Sequence, residues 1–296
     1  MENVLHSFLD SRSLKVLHNG IWSETVELKA GTPQGACLSP ILYLIFVNDL
    51  IPSLNLSLSS ASQYADDIGL WTSNGSVKEA ERQLQLELSK VEEWCRKWHV
   101  SLHPAKSKLI MFTKCPRHKI EMPAGPSILI SGETVLSVQE ADFLGLTFDV
   151  RMTWEPQTRK MLTRAYKRLN LLRSIAALTT KPNPNTLLTL YKSTIRSIFE
   201  YSAICFITAA DCHLQKLQLI QNQALRLVLA TPAYISTKDL HDCSGIQPLQ
   251  QHLTDFAQKR LTLMKRISPI IASTIQEHQK VKHIKENPSI LDIIRV

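Results

Sequence analysis

Residues 61–71 read ASQYADDIGLW. Short extended segments on either side of Asp66-Asp67 predict a hairpin with those two acids in its tight turn. Adjacent carboxylates at such a tip are costly to keep ionised unless solvent or a cation compensates. A divalent ion does this well: hard oxygen ligands suit Mg²⁺, which keeps positions open for water and substrate phosphates. An isolated Asp-Asp pair is weak evidence, because turns also favour Asp for backbone reasons.

Thirty residues upstream stands Gly31-Thr32-Pro33-Gln34-Gly35. Its glycines permit close backbone approach to a ligand, and Gln34 offers both a donor and an acceptor. An apolar helix is predicted from about Pro40 to Leu50, with proline in its opening turn; a helix start favours anionic phosphate. Before the loop, Ile21–Leu28 reads as extended. Downstream, Ser76 and Glu79 form a capping-box pattern. The helix they open carries Ala80, Leu84, Leu88, Val91, Trp94 and Trp98 on one stripe, which favours a core role for both tryptophans over base stacking. Segments 108–113 and 127–135 read as strands, the second turning at Ser131-Gly132, and 143–148 as an apolar hairpin. After Pro156 the period is helical almost throughout, with helices expected at 157–175, 185–201, 212–229 and 248–266. In the first of these, Leu162, Ala165, Tyr166, Leu169 and Leu172 form the apolar face, and Lys160, Arg164 and Lys167 fall on another.

The chain is therefore expected to be α+β, with two domains, 1–150 and 151–296. Charge divides at the same place. Residues 1–150 hold 13 Lys and Arg against 17 Asp and Glu, whereas 151–296 hold 21 against 9. A basic half suits a polyanion, although a solvated basic face is the plainer alternative. Of 296 residues, 44% are hydrophobic and 20% charged, which argues against disorder. The longest apolar run, Ile41–Val47, is far below the ~18 residues needed to span a bilayer. Six cysteines without a C-x-x-C pair resemble neither a disulfide framework nor a zinc site, and an intracellular location, nuclear or cytoplasmic, is expected. No P-loop or Rossmann glycine pattern is present.

In order and spacing, GTPQG, an apolar helix, YADD, a helix ending Trp94-x-x-x-Trp98, LHPAKSK (102–108) and FLGL resemble the reverse transcriptase of non-LTR (LINE-like, jockey-type) retrotransposons. LYKSTIRSIFEY (190–201) and LQLIQNQALRLVLATP (217–232) are similar to that family's region after the palm, so the resemblance covers almost the whole chain. It implies a partial right-hand polymerase palm followed by an all-helical, thumb-like domain. The implied partners are an RNA template, a DNA primer and dNTPs; the implied cofactor is Mg²⁺, two ions activating the primer 3′-hydroxyl and neutralising the leaving pyrophosphate. By the same resemblance, Asp66 is the principal metal ligand and Asp67 the secondary carboxylate. Gly31, Thr32, Pro33, Gln34 and Gly35 lie along the incoming nucleotide and template. Lys106 assists near the pyrophosphate, with Lys108 a close rival, and Phe143, Leu144 and Gly145 form the primer grip. Lys160, Arg164 and Lys167 suit nucleic-acid backbone phosphates.

Two departures stand out. The family has another metal-binding aspartate on a strand well upstream of the glutamine loop, together with template-holding fingers. Here only thirty residues precede Gly31, and Asp10 sits in the wrong context. The expectation is an N-terminally truncated, impaired polymerase; a non-catalytic nucleic-acid-binding remnant or an unstable relic is the alternative. His103 also stands where the family usually has Asn.

Overall fold

The structure is a computed structural model that describes residues 2–56, 59–113, 125–178, 180, 182–206 and 209–268. Cys115 and Lys181 lie outside the described residues. Two compact units emerge: described residues up to Ser107 with those up to Leu136 that follow Ala124, and Lys108–Thr113 with those from Ser137 onward. Every sheet among the described residues is a two-stranded antiparallel ribbon.

The first unit opens with α1 (Glu2–Leu9) and a long ribbon. Its base pairs β1 (Arg12–Leu14) with β4 (Val26–Leu28), and its tip pairs β2 (Leu17–His18) with β3 (Ile21–Trp22). Asn19 and Gly20 both take positive φ, as a two-residue hairpin turn with the strands' own twist requires. The apolar helix comes in two pieces, α2 (Ser39–Val47) and α3 (Leu50–Ser53). They part at Asn48-Asp49, where the Asp49 carboxylate accepts a hydrogen bond from Trp94 Nε1 at 3.2 Å. The central hairpin is β5 (Ser59–Tyr64) and β6 (Asp67–Thr72), with Tyr64 opposite Asp67. Its turn is Ala65-Asp66, one residue earlier than expected, and Asp67 already belongs to β6.

Helix α4 (Val77–Lys97) begins at Ser76 as expected, but the capping box does not form. Glu79 is instead taken by Arg82 at 2.6 Å and by Gln83. Leu88, Val91 and Trp94 are buried, whereas Trp98, at the C-cap, is 38% exposed. Trp98 sits edge-on to Phe46, and the Lys97 ammonium lies 5.5 Å from its ring centroid. A second, polar stripe of α4 holds the ribbon β7 (Ser127–Ile130) and β8 (Glu133–Leu136). Glu81 accepts from Ser127 N, Gln85 bonds both N–H and C=O of Leu129, and Glu92 accepts from Ser131 N. These side chains satisfy a strand edge that would otherwise need another strand. Val47, Leu50, Leu54, Val91, Trp94 and Cys95 make this unit's small core, with Tyr43, Ile68 and Leu70 packed around it.

The second unit is mostly helical. Segment 108–113 forms no strand and makes one isolated bridge, Leu109 to Ser137. The hairpin β9 (Glu140–Phe143) and β10 (Leu146–Asp149) leads into α5 (Glu155–Ala176). Between them the buried Asp149 carboxylate accepts from the backbone N–H groups of Thr153 and Trp154, fixing Trp154 at φ 65° in the core. Helix α6 (Pro184–Tyr191) continues through a π-helical turn, Lys192–Arg196, into α7 (Ser197–Tyr201). Then follow α8 (Ala203–Phe206), α9 (Asp211–Leu229), α10 (Thr237–Ser244) and α11 (Leu249–Ile267).

One contiguous core, including Ala165, Leu169, Phe199, Leu217, Ala224 and Leu253, joins α5, α7, α9 and α11. Met161 rather than Tyr166 completes the buried face of α5; Tyr166 is exposed. Inside the core, Tyr191 donates to Gln221 Oε1 at 2.6 Å and Gln221 Nε2 donates to Gln247 O at 2.8 Å. Gln218 Oε1 accepts the Leu249 N–H at 2.6 Å, at the start of α11. Among the described residues no helix is long and apolar enough to cross a membrane, and the described cysteines are free thiols.

Candidate functional site

The glutamine loop is held by side chains at its start and at its middle. Arg12 Nη2 donates to Gly31 O at 2.8 Å and Ala30 O at 3.3 Å, and Ser39 Oγ donates to Pro33 O at 2.5 Å. Gly31 and Gly35 have φ of 83° and 84° with open space around them, so the backbone angle rather than crowding requires glycine. Thr32 and Pro33 are half-buried, and Gln34 and Gly35 are exposed. Immediately after the loop, α2 carries Tyr43 and Val47 one turn apart onto the unit's core.

That core also holds the hairpin. Ile68 and Leu70 of β6 pack on it, and the strand's alternation puts Asp67 with Gly69 and Trp71 on the opposite face. Asp66 is exposed in the turn. Its charge reaches Tyr43, whose phenol is pushed up first by burial and then by the Asp66 carboxylate. Helix α2 and the acidic hairpin thus meet at Tyr43, a residue that no sequence pattern marks. Asp66 and Asp67 are neighbours in sequence but belong to a turn and a strand. Both are exposed, which leaves their oxygens open to solvent and ligands.

Lys106 is exposed at the end of a turn, its N–H bonded to His103 O at 3.1 Å. Trp94 is a core residue and its indole N–H is engaged by Asp49. Among the described residues no group of three or more His, Cys, Asp or Glu could hold a metal ion.

The remaining expected residues lie in the second unit. Phe143 ends β9, and the turn Leu144-Gly145 has positive φ at both positions. Tyr201 OH donates to Leu144 O at 2.8 Å, and a Cβ on Gly145 would come within 3.3 Å of the Tyr201 ring. Lys160 Nζ is 2.6 Å from Asp142 Oδ1 on the same hairpin, and this bond, with one from Thr147, holds the Asp142 carboxyl below its ordinary range. Lys160 therefore already has a carboxylate partner. Arg164 and Lys167, joined by Arg168, line an open groove between α5 and the π-helical turn, with Ser193 and Ser197 opposite. Among the described residues none of these three cations has an ion-pair partner.

Residues 2–148 match the reverse transcriptase (RNA-dependent DNA polymerase) family. Over 288 residues, 95% of this chain, the sequence is 26% identical to a probable RNA-directed DNA polymerase from transposon BS of Drosophila melanogaster. It is 27% identical over 262 residues to the RNA-directed DNA polymerase from mobile element jockey of Drosophila funebris, and 25% over 241 residues to the X-element counterpart of Drosophila melanogaster. These alignments cover 86% and 80% of the chain. The chain spans 31%, 28% and 26% of these three relatives' own lengths. No solved structure matches.

Proposed function

The chain belongs to the reverse transcriptase family of jockey-type non-LTR mobile elements, and from that premise we propose that residues 1–150 act as a partial polymerase palm and 151–296 as its thumb-like continuation. The reaction is nucleotidyl transfer from a dNTP to a DNA primer 3′-hydroxyl, directed by an RNA template. The observation that carries this reading is that the glutamine loop runs directly into α2, whose Tyr43 and Val47 share one core with Ile68 and Leu70 of the hairpin that bears Asp66 and Asp67.

Asp66 and Asp67 offer exposed hard oxygen donors, and Mg²⁺ is commonly held by one or two carboxylates plus water and substrate phosphates, so the pair fits that ion. When bound, the metal supplies charge for the attacking and leaving oxygens. The protein's own share is positioning, which dominates phosphoryl transfer. Asp66 fixes the reacting end from the hairpin turn, with Asp67 beside it. The glycine loop presents Gln34 and open backbone to the nucleotide and template, and Lys106 brings positive charge toward the pyrophosphate. Leu144 and Gly145 offer a hairpin turn to the primer end, while Arg164 and Lys167 contact backbone phosphates. Lys160, occupied by Asp142, reaches phosphate only by giving up that partner.

With no third metal-holding acid beside the pair among the described residues, the expected activity of this chain alone is feeble. The test is dNTP binding with and without Mg²⁺, alongside extension of a DNA primer on an RNA template. Mg²⁺-dependent binding that Asp66→Asn weakens supports the reading, and nucleotide binding indifferent to both overturns it. Vigorous extension by the chain alone overturns the claim of impairment. The unpaired Arg164, Lys167 and Arg168 favour a second reading, a non-catalytic nucleic-acid binder. Salt-sensitive duplex binding with no incorporation, unchanged in Asp66→Asn, would select it.

A further inference from the structure

The glutamine loop is glycine-rich and largely exposed, yet a single side chain far upstream holds its entrance. Arg12 in β1 bonds no carboxylate among the described residues. Its Nε donates to Leu9 O at 3.0 Å, and its Nη2 donates to both Ala30 O and Gly31 O. One guanidinium thus ties the end of α1 to the first residue of the loop. β1 pairs with β4, so the ribbon brings this fork to the point where the chain leaves β4 for Gly31. In the middle of the loop Ser39 Oγ donates to the Pro33 carbonyl. Gln34 and Gly35, which directly follow the second anchored carbonyl, stay exposed.

Resting on the polymerase reading above, we propose that Arg12 is a positioning residue for the nucleotide: by capping the Gly31 and Ala30 carbonyls it holds the loop in the shape that presents Gln34 and Gly35 to an incoming dNTP. Only the planar fork of arginine serves three carbonyls at once in this geometry. Lysine keeps the charge but is a point donor on a flexible stem. A free glycine-rich loop would have to be ordered by each nucleotide it binds, and Arg12 meets that entropic cost during folding.

The experiment compares wild type, Arg12→Ala, Arg12→Lys and Ser39→Ala, with each variant first shown to melt as the wild type does. Two quantities are read: hydrogen exchange of residues 31–35, and the dissociation constant of a fluorescent dNTP with Mg²⁺. Arg12→Ala and Arg12→Lys are both expected to speed exchange in the loop and to weaken dNTP binding about tenfold, in line with loss of hydrogen bonds from a charged group. Ser39→Ala should act in the same direction from the other anchor, more weakly. Wild-type affinity in Arg12→Lys would show that charge alone suffices and overturn the proposal. So would unchanged loop exchange in both Arg12 variants. A wild-type chain that binds no dNTP overturns the polymerase reading and takes this inference with it; a wild type that binds while the Arg12 variants bind equally overturns the inference alone.

Discussion

Tyr191 is the clearest case of one side chain whose chemistry follows from its surroundings. Burial pushes its phenol well above the usual value of 10, outweighing the lowering effect of Arg196. A phenol whose pKa is raised by folding contributes stability that is fully present below its unfolded value, about 10, and is lost as pH climbs toward the folded value. Denaturant melts between pH 8 and 11 should therefore show stability falling only at the alkaline end. Tyr191→Phe should flatten that fall while costing about 1–3 kcal/mol at neutral pH, because Gln221 Oε1 loses its donor. Individual residues were unevenly legible in the sequence. Pattern alone marked the acidic turn, the glutamine loop and an apolar hairpin at 143–148, although its first strand begins earlier, at Glu140. Arg12, Ser39 and Tyr43 were not readable, since each acts through a partner at a distance no local pattern encodes. Tyr166 and Trp98 matched a helical stripe yet are exposed: Tyr166 gives way to Met161 on the buried face, and Trp98 follows the last helical residue at φ −100°.

At the level of elements, the β9–β10 hairpin is bound to its helical unit by Tyr201 on Leu144 and Lys160 on Asp142. Gly145→Ala must hold φ 76° with a Cβ against the Tyr201 ring. It should cost about 1–2 kcal/mol from the backbone angle alone. Tyr201→Ala in the same chain should remove the clash and return only part of the loss, which a four-variant melting series would reveal. Where α5 meets α9, Ala165 and Ala224 are both fully buried. Ala165→Leu should destabilise by about 1–3 kcal/mol through overpacking, read as a lower denaturant midpoint. The long helices α4, α5, α9 and α11 were visible in the sequence because their apolar period runs for several turns. The supposed strand at 108–113 was not one, since a strand needs a pairing partner along its length, and among the described residues the backbone of this segment is tied to its neighbours only near its two ends, at Leu109 and Thr113. Helix α10 escaped notice at eight residues, although Ser236, capping Asp239 N, is a signal that could have found it.

Across the whole molecule the two units differ greatly in buried apolar content, six residues in the principal core of the first against a long contiguous cluster in the second. Calorimetry should resolve two transitions, the first unit melting at the lower temperature; a single cooperative transition would contradict this division. The charge asymmetry carries its own expectation. Replacing Arg164 and Lys167 together by Ala should lower the salt slope of duplex binding by about two, measured by titration at several salt concentrations, with little effect on dNTP binding. The polar pairs inside the helical unit have a different consequence. Leucine and alanine faces tolerate sliding, and oily helices slipped by a turn would still bury similar area. Gln218 and Gln221 do not tolerate it, because their amides meet the Leu249 N–H and the Gln247 carbonyl in only one alignment. A slipped bundle would strand the fully buried Gln221 dry and unsatisfied, so it acts as a ratchet that rejects misassembled stacks of the same helices.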